Sequence, residues 1–192
     1  MTGHVRTALY IALHAALGGT LLMGACTDGD PQDGTPSEGT ATEEARDDDA
    51  IEVIGLDYAY GNLPATVSVG TRLSLVNESD TEAHEIVALR LPDDEERPAA
   101  DLLALPPTES EALLGGIVPA MVLLALPGEA GVAIEGDGTL TEAGRYLVLC
   151  AVPTGADPEA YAAAATTSEG AAEVEGGPPH FTQGMFGEVV VE

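Results

Sequence analysis

The sequence has no lysine and no tryptophan, and its six arginines face 33 acidic residues, for a formal charge of −27. So acidic a surface repels nucleic acid and anionic lipid, and neither is an expected partner. Aromatic residues make up 4% of the chain, so any core must be built from Val, Leu, Ile and Ala. Cysteine is nearly absent too. Cys26 ends an apolar leader and Cys150 ends an apolar strand pattern, contexts so different that they are read separately rather than as a disulfide. A length of 192 residues allows one domain with appendages.

Catalytic patterns are equally scarce. No serine sits in a nucleophile-elbow glycine frame beside His84 or His180. A Cys150–His dyad would need a thiolate at the end of an apolar strand, where its charge is opposed unless a metal stabilises it. The run Asp93, Asp94, Glu95, Glu96 is a solvated loop tip, since tandem carboxylates do not form a spaced acid/base pair. The chain is read as not an enzyme.

What is present divides into three. Residues 1–25, "MTGHVRTALYIALHAALGGTLLMGA", have one arginine, no acid and an apolar body, the pattern of an export signal. Their end, "LLMGAC", resembles the lipobox of bacterial lipoproteins. That resemblance implies that Cys26 is lipidated, with two acyl chains giving stable attachment to a membrane, and hence an extracytoplasmic protein anchored to the outer face of a bacterial cell membrane. Residues 26–50 form an acidic tether starting at Cys26, with nothing large and apolar to order it.

From 51 to 192 the texture is that of an all-β domain. "IEVIGLDYAY", "ATVSV", "TRLSLV", "EIVALRL", "GRYLVLC" and "FGEVVVE" are short apolar runs, several alternating with period two, separated by Gly, Pro, Asn and Asp. They predict an antiparallel sandwich or barrel. Two stretches read as helices. "TESEALLGG" opens with Thr108 and Glu111 at capping-box spacing, and "ADPEAYAAAATT" has Asp157 as N-cap and Pro158 in the first turn. "IVPAMVLLAL" is too short and too Pro-broken to span a membrane and reads as a buried strand with its lead-in.

The domain holds two histidines, His84 and His180, one cysteine, Cys150, and two methionines, Met121 and Met185. All but Met121 fall at a strand end or in an adjoining loop, where side chains converge on one rim of a sandwich. One thiolate and two imidazoles with a weak axial thioether suit a mononuclear copper site for electron transfer. Structural zinc more often takes four strong ligands.

At these residues the domain resembles the cupredoxins, the blue copper proteins. The likeness lies in "ATVSVGTRLSLVNESDTEAHEIV", with an asparagine ahead of the first histidine, then "GRYLVLCAVP", then "HFTQGMFGEVVVE". It implies a cupredoxin-like Greek-key β-sandwich with one or two short helical insertions, and one type 1 copper held by His84, Cys150, His180 and Met185. Most cupredoxins close the cysteine-to-histidine loop quickly, whereas here residues 151–179 intervene. Closure entropy grows slowly with length, so the insertion is tolerated if its ends return together. Glu85, next to His84, adds charge or a supporting contact beside the metal. The implied function is an extracytoplasmic copper electron carrier whose redox partner offers a basic docking patch. The alternative is a module of the same fold that stores or delivers copper, or a metal-free interaction scaffold.

Overall fold

The computed structural model describes residues 50–167, 171 and 174–192; the leader, Cys26 and the tether up to residue 49 lie outside the described residues. Among the described residues nine strands form: β1 Ile51–Leu56, β2 Ala59–Gly61, β3 Thr66–Val67, β4 Leu73–Asn77, β5 His84–Arg90, β6 Met121–Ala125, β7 Val132–Glu135, β8 Gly144–Leu149 and β9 Phe186–Val191. They make a three-stranded sheet ordered β2-β1-β4 and a six-stranded sheet ordered β3-β9-β8-β5-β6-β7. The all-β two-sheet fold matches the expectation, and it is not a closed barrel. It is not purely antiparallel, however: β1 runs parallel to β4, and β3 runs parallel to β9. Period-two patterning says which face a residue takes and nothing about the direction of its neighbour, so this was not readable from the sequence.

The central strands explain their own composition. β5 is buried along almost its whole length, because the six-stranded sheet is covered on both faces. Ile86, Ala88, Tyr146 and Val148 face the second sheet, meeting Val53, Leu73 and Leu75. Val87, Leu89, Leu147 and Leu149 face outward, beneath Ala99, Leu102 and Leu114. Those last three belong to α1 (Ala99–Leu103) and α2 (Pro107–Leu114), which fill the connection from β5 to β6. Each fully buried Leu contributes on the order of 1.5–3 kcal/mol. This helical cover is therefore a substantial part of the fold.

α1 was not foreseen, since five residues are too few to show a 3.6-residue period. α2 was foreseen, but its capping box does not form. The helix starts at Pro107 behind Pro106, no side chain caps it, and Thr108 already lies inside the first turn. Proline fixes the entry angle and removes one of the donors a cap would satisfy. α3 (Pro158–Ala165) follows the sequence reading, with the Asp157 carboxylate accepting from Ala160 N–H at 2.8 Å. "IVPAMVLLAL" becomes β6 and its lead-in, and Met121 packs in the inter-sheet core. Among the described residues no helix is long and apolar enough to cross a membrane.

Candidate metal centre

His84, Cys150 and His180 are brought to one end of the six-stranded sheet. His84 is the first residue of β5 and Cys150 directly follows β8. The antiparallel pairing of the two strands, Val87 opposite Leu149, sets these ends side by side. His180 opens a 3-10 helix, His180–Gln183, that leads into β9. All three residues are fully buried. Their ligand atoms lie within 4.8 Å of one another. His84 Nδ1 is 3.2 Å from His180 Nδ1, and Cys150 Sγ is 3.5 Å from His180 Nδ1. Each ring thus turns the same nitrogen inward.

The insertion does not disturb this arrangement because its ends zip together. Thr154 N–H donates to Pro178 O (3.1 Å) and Gly177 N–H to Thr154 O (2.8 Å). His180 N–H then donates to Val152 O (3.0 Å) and Phe181 N–H to Cys150 O (2.9 Å). This neck returns the second histidine beside the cysteine it left. The chain turns out of the 3-10 helix at Gly184, whose φ of 115° suits glycine. Met185 follows, fully buried, with its carbonyl accepting from Cys150 N–H at 3.1 Å. It shares an apolar cluster with Cys150, Ala83, Val152 and Tyr161, the last brought by α3. The described part of the insertion therefore closes over this end of the sandwich.

Surrounding contacts fix the ligands. The ring of His84 lies against Gly55 of β1, where an added Cβ would come within 3.1 Å of it. Glu85 N–H points at Cys150 Sγ from 3.5 Å. The Glu85 side chain is itself buried, its Oε1 accepting from Ala151 N–H (2.9 Å) and from the Tyr161 hydroxyl (3.1 Å), while its carbonyl accepts from the Tyr60 hydroxyl. The glutamate beside His84 thus ties β5 to the insertion. Asn77 holds the loop before His84: its Nδ2 donates to Glu82 O and Ala125 O, and its Oδ1 accepts from Ser79 N–H. Tyr58, in the left-handed region at φ 61°, sets its ring edge-on to His180, with centroids 5.1 Å apart.

The electrostatics favour neutral ligands in the metal-free protein. Burial lowers the His84 pKa to about 4, and His180 adds to the effect. Burial also lowers that of His180, opposed by Glu82. Burial pushes the Cys150 thiol well above its usual range, and the charge of Glu85 pushes the same way. Two imidazole Nε2 atoms, those of His84 and His180, are buried without a hydrogen-bond partner.

Sequence reasoning found the histidines and the cysteine but missed Tyr58, Tyr60, Glu82 and Tyr161. Only the Asn77–Ser79 pairing had a signal, an Asx turn in "NESDTE". Of the other two candidates, Met185 is buried in the cluster with Cys150 and Cys26 lies outside the described residues.

The fold and site together define a class: an all-β, two-sheet protein with a buried His/Cys/His cluster able to hold a metal ion at one end. No family model matches the chain, and no curated protein matches it. Similar solved structures include auracyanin A, a blue copper protein from Chloroflexus aurantiacus, at 22% identity over 74% of this chain and 98% of that one, with a TM-score of 0.40. A reduced auracyanin from Roseiflexus castenholzii is 20% identical over 75% and 97% of the two chains, TM-score 0.40. A reduced amicyanin variant is 18% identical over 76% and 84%, TM-score 0.36. Likenesses of this size fix neither a family nor a ligand for this chain.

Proposed function

We propose that the protein is a one-electron carrier whose single type 1 copper would be held by Cys150 Sγ and the Nδ1 atoms of His84 and His180, with the Met185 thioether as a weaker fourth ligand. The observation that carries this reading is the convergence of one thiol and two imidazole Nδ1 atoms inside one fully buried cluster. Its donor set fits: thiolate favours Cu(I) and imidazole accepts Cu(II). Bound copper would supply a one-electron couple. The chain's own residues supply a rigid, dry frame. His84 and Cys150 are fixed by paired strands, His180 by the neck of the insertion, and Cys150 gives up its thiol proton on ligation, so affinity rises with pH.

Full burial of all three ligands argues against delivery, which needs an acceptor to reach them. A metal-free scaffold gives no reason for one thiol and two imidazoles to be fully buried with their ligand atoms within 4.8 Å of one another. The partner is read as a redox protein with a basic docking patch. The four described arginines, Arg72, Arg90, Arg97 and Arg145, sit toward the opposite end of the sheets, while Asp57 and Glu82 flank His180. Lipidation at Cys26 and the tether would hold such a carrier at the outer face of the membrane.

Voltammetry of the copper-loaded protein tests the reading. The expected result is a reversible one-electron wave, with the copper retained against a chelator. Copper that passes to an acceptor faster than it changes oxidation state contradicts it and makes the protein a delivery module.

A further inference from the structure

Three groups meet at a carboxylate that no motif marks. Glu82 lies in the loop between β4 and β5, pinned by Asn77 at its carbonyl (2.8 Å) and by Ser79 Oγ at its N–H (3.0 Å). Both its carboxylate oxygens accept from Gly155 N–H, at 3.1 Å each, at the start of the insertion. Its charge also acts on the Tyr58 hydroxyl. Its Oε2 stands 3.5 Å from His180 Nε2, a fully buried nitrogen without a hydrogen bond. His84 Nε2 is orphaned in the same way.

We propose that Glu82 is a positioning residue for the metal centre: its carboxylate holds His180 as the Nε2–H tautomer, leaving Nδ1 free to ligate, and anchors the insertion to that ring through Gly155. This rests on the copper reading above for its consequence, but not for its geometry.

The inner side of the ring points to the same tautomer. His180 Nδ1 faces two groups, His84 Nδ1 and Cys150 Sγ. Two imidazole Nδ1 atoms 3.2 Å apart share one proton, so one of them donates and the other accepts. His180 Nδ1 also has Cys150 Sγ 3.5 Å away, and as the nitrogen that faces two neighbours it is assigned the acceptor role. The His180 proton then sits on Nε2, where Glu82 waits. A carboxylate on the outer nitrogen of a ligating imidazole fixes ring orientation and raises ligand basicity. It also places a negative charge one ring away from the metal, which favours the more oxidised ion. The two histidines are thus unequal, and their difference is set by a residue two positions ahead of His84.

The test is nitrogen-15 NMR of the histidine rings in the metal-free protein, run on wild type, Glu82→Gln and Glu82→Ala, followed by potentials after copper is added. The expected wild-type spectrum has His180 protonated at Nε2 and His84 at Nδ1. Glu82→Gln keeps an acceptor for Gly155 and for Nε2, so the tautomer persists while the potential moves positive. Glu82→Ala mixes the His180 tautomers. A wild-type His180 protonated at Nδ1 overturns the proposal, as does an unchanged potential in both variants. Failure of the copper reading is separable, because it shows as a wild type that forms no thiolate–copper band whatever its tautomers.

Discussion

The two ends of the sandwich are built from opposite materials. At the far end, charge is exposed and matched. Arg145 bridges Glu188, Glu95 O and Arg97 O, Arg90 pairs with Asp93, Arg97 pairs with Glu95, and Arg72 reaches Asp137 O. At the metal end, Glu85 is buried against two hydrogen-bond donors, and none of the four described arginines is present. The far end is held by interactions that water screens. At the metal end, polar groups are taken out of water and each must find a partner. Two buried imidazole nitrogens, the outward Nε2 atoms of His84 and His180, do not.

That contrast can be sharpened by breaking each end in turn. The largest effect is expected from Tyr161→Ala, which empties the place that α3 fills beside Cys150 and Met185. Loss of a buried aromatic of this size costs about 3–5 kcal/mol, read by denaturant unfolding, and the exposed centre should lose copper to a chelator faster. Unchanged stability would mean that the insertion does not seal this end.

Next comes Glu85. Burial raises its pKa to about 7, opposed by its bonds from Ala151 N–H and Tyr161. A group whose folded pKa is raised contributes stability that is fully present below the unfolded value and is lost as pH rises through the folded one. Between pH 4.5 and 7 the metal-free wild type should therefore lose up to about 3 kcal/mol relative to Glu85→Gln. His84, lowered to about 4, acts with the opposite sign over much of the same range: its contribution is present above the unfolded value of 6.5 and fades as pH falls. Because His84 is common to both proteins, the difference between them isolates the carboxyl. A difference that is flat with pH would show that Glu85 stays ionised in the folded state.

The smallest effect belongs to the far end. Arg145→Ala removes a half-exposed network and should cost about 1–2 kcal/mol, with the copper spectrum unaltered. A spectral change there would mean that the two ends are coupled through β8, and the division drawn between them would fail.

How far the sequence went follows the same line. His84, Cys150 and His180 were legible because strand ends and turn residues fixed their places, and the order of the runs set them on one rim. The insertion's tolerance was legible in principle from loop entropy, but its neck depends on backbone hydrogen bonds between Thr154 and Gly177 that leave no trace in residue type. α1 and the cover over Val87 and Leu89 were invisible, since a strand buried on both faces announces only that something covers it. Glu82 and Tyr58 were invisible for another reason. Each is an ordinary loop residue whose importance arises from what the fold brings near it, and Tyr58 even occupies a left-handed position that glycine or asparagine fills more easily.

The most direct test of the metal centre is titration of the purified protein with Cu(II), followed in the visible spectrum beside Cys150→Ser. An intense thiolate-to-copper band that saturates at one copper per chain and vanishes in Cys150→Ser is the predicted result. A folded wild type that takes up no copper, or whose band survives the loss of Cys150, would contradict it.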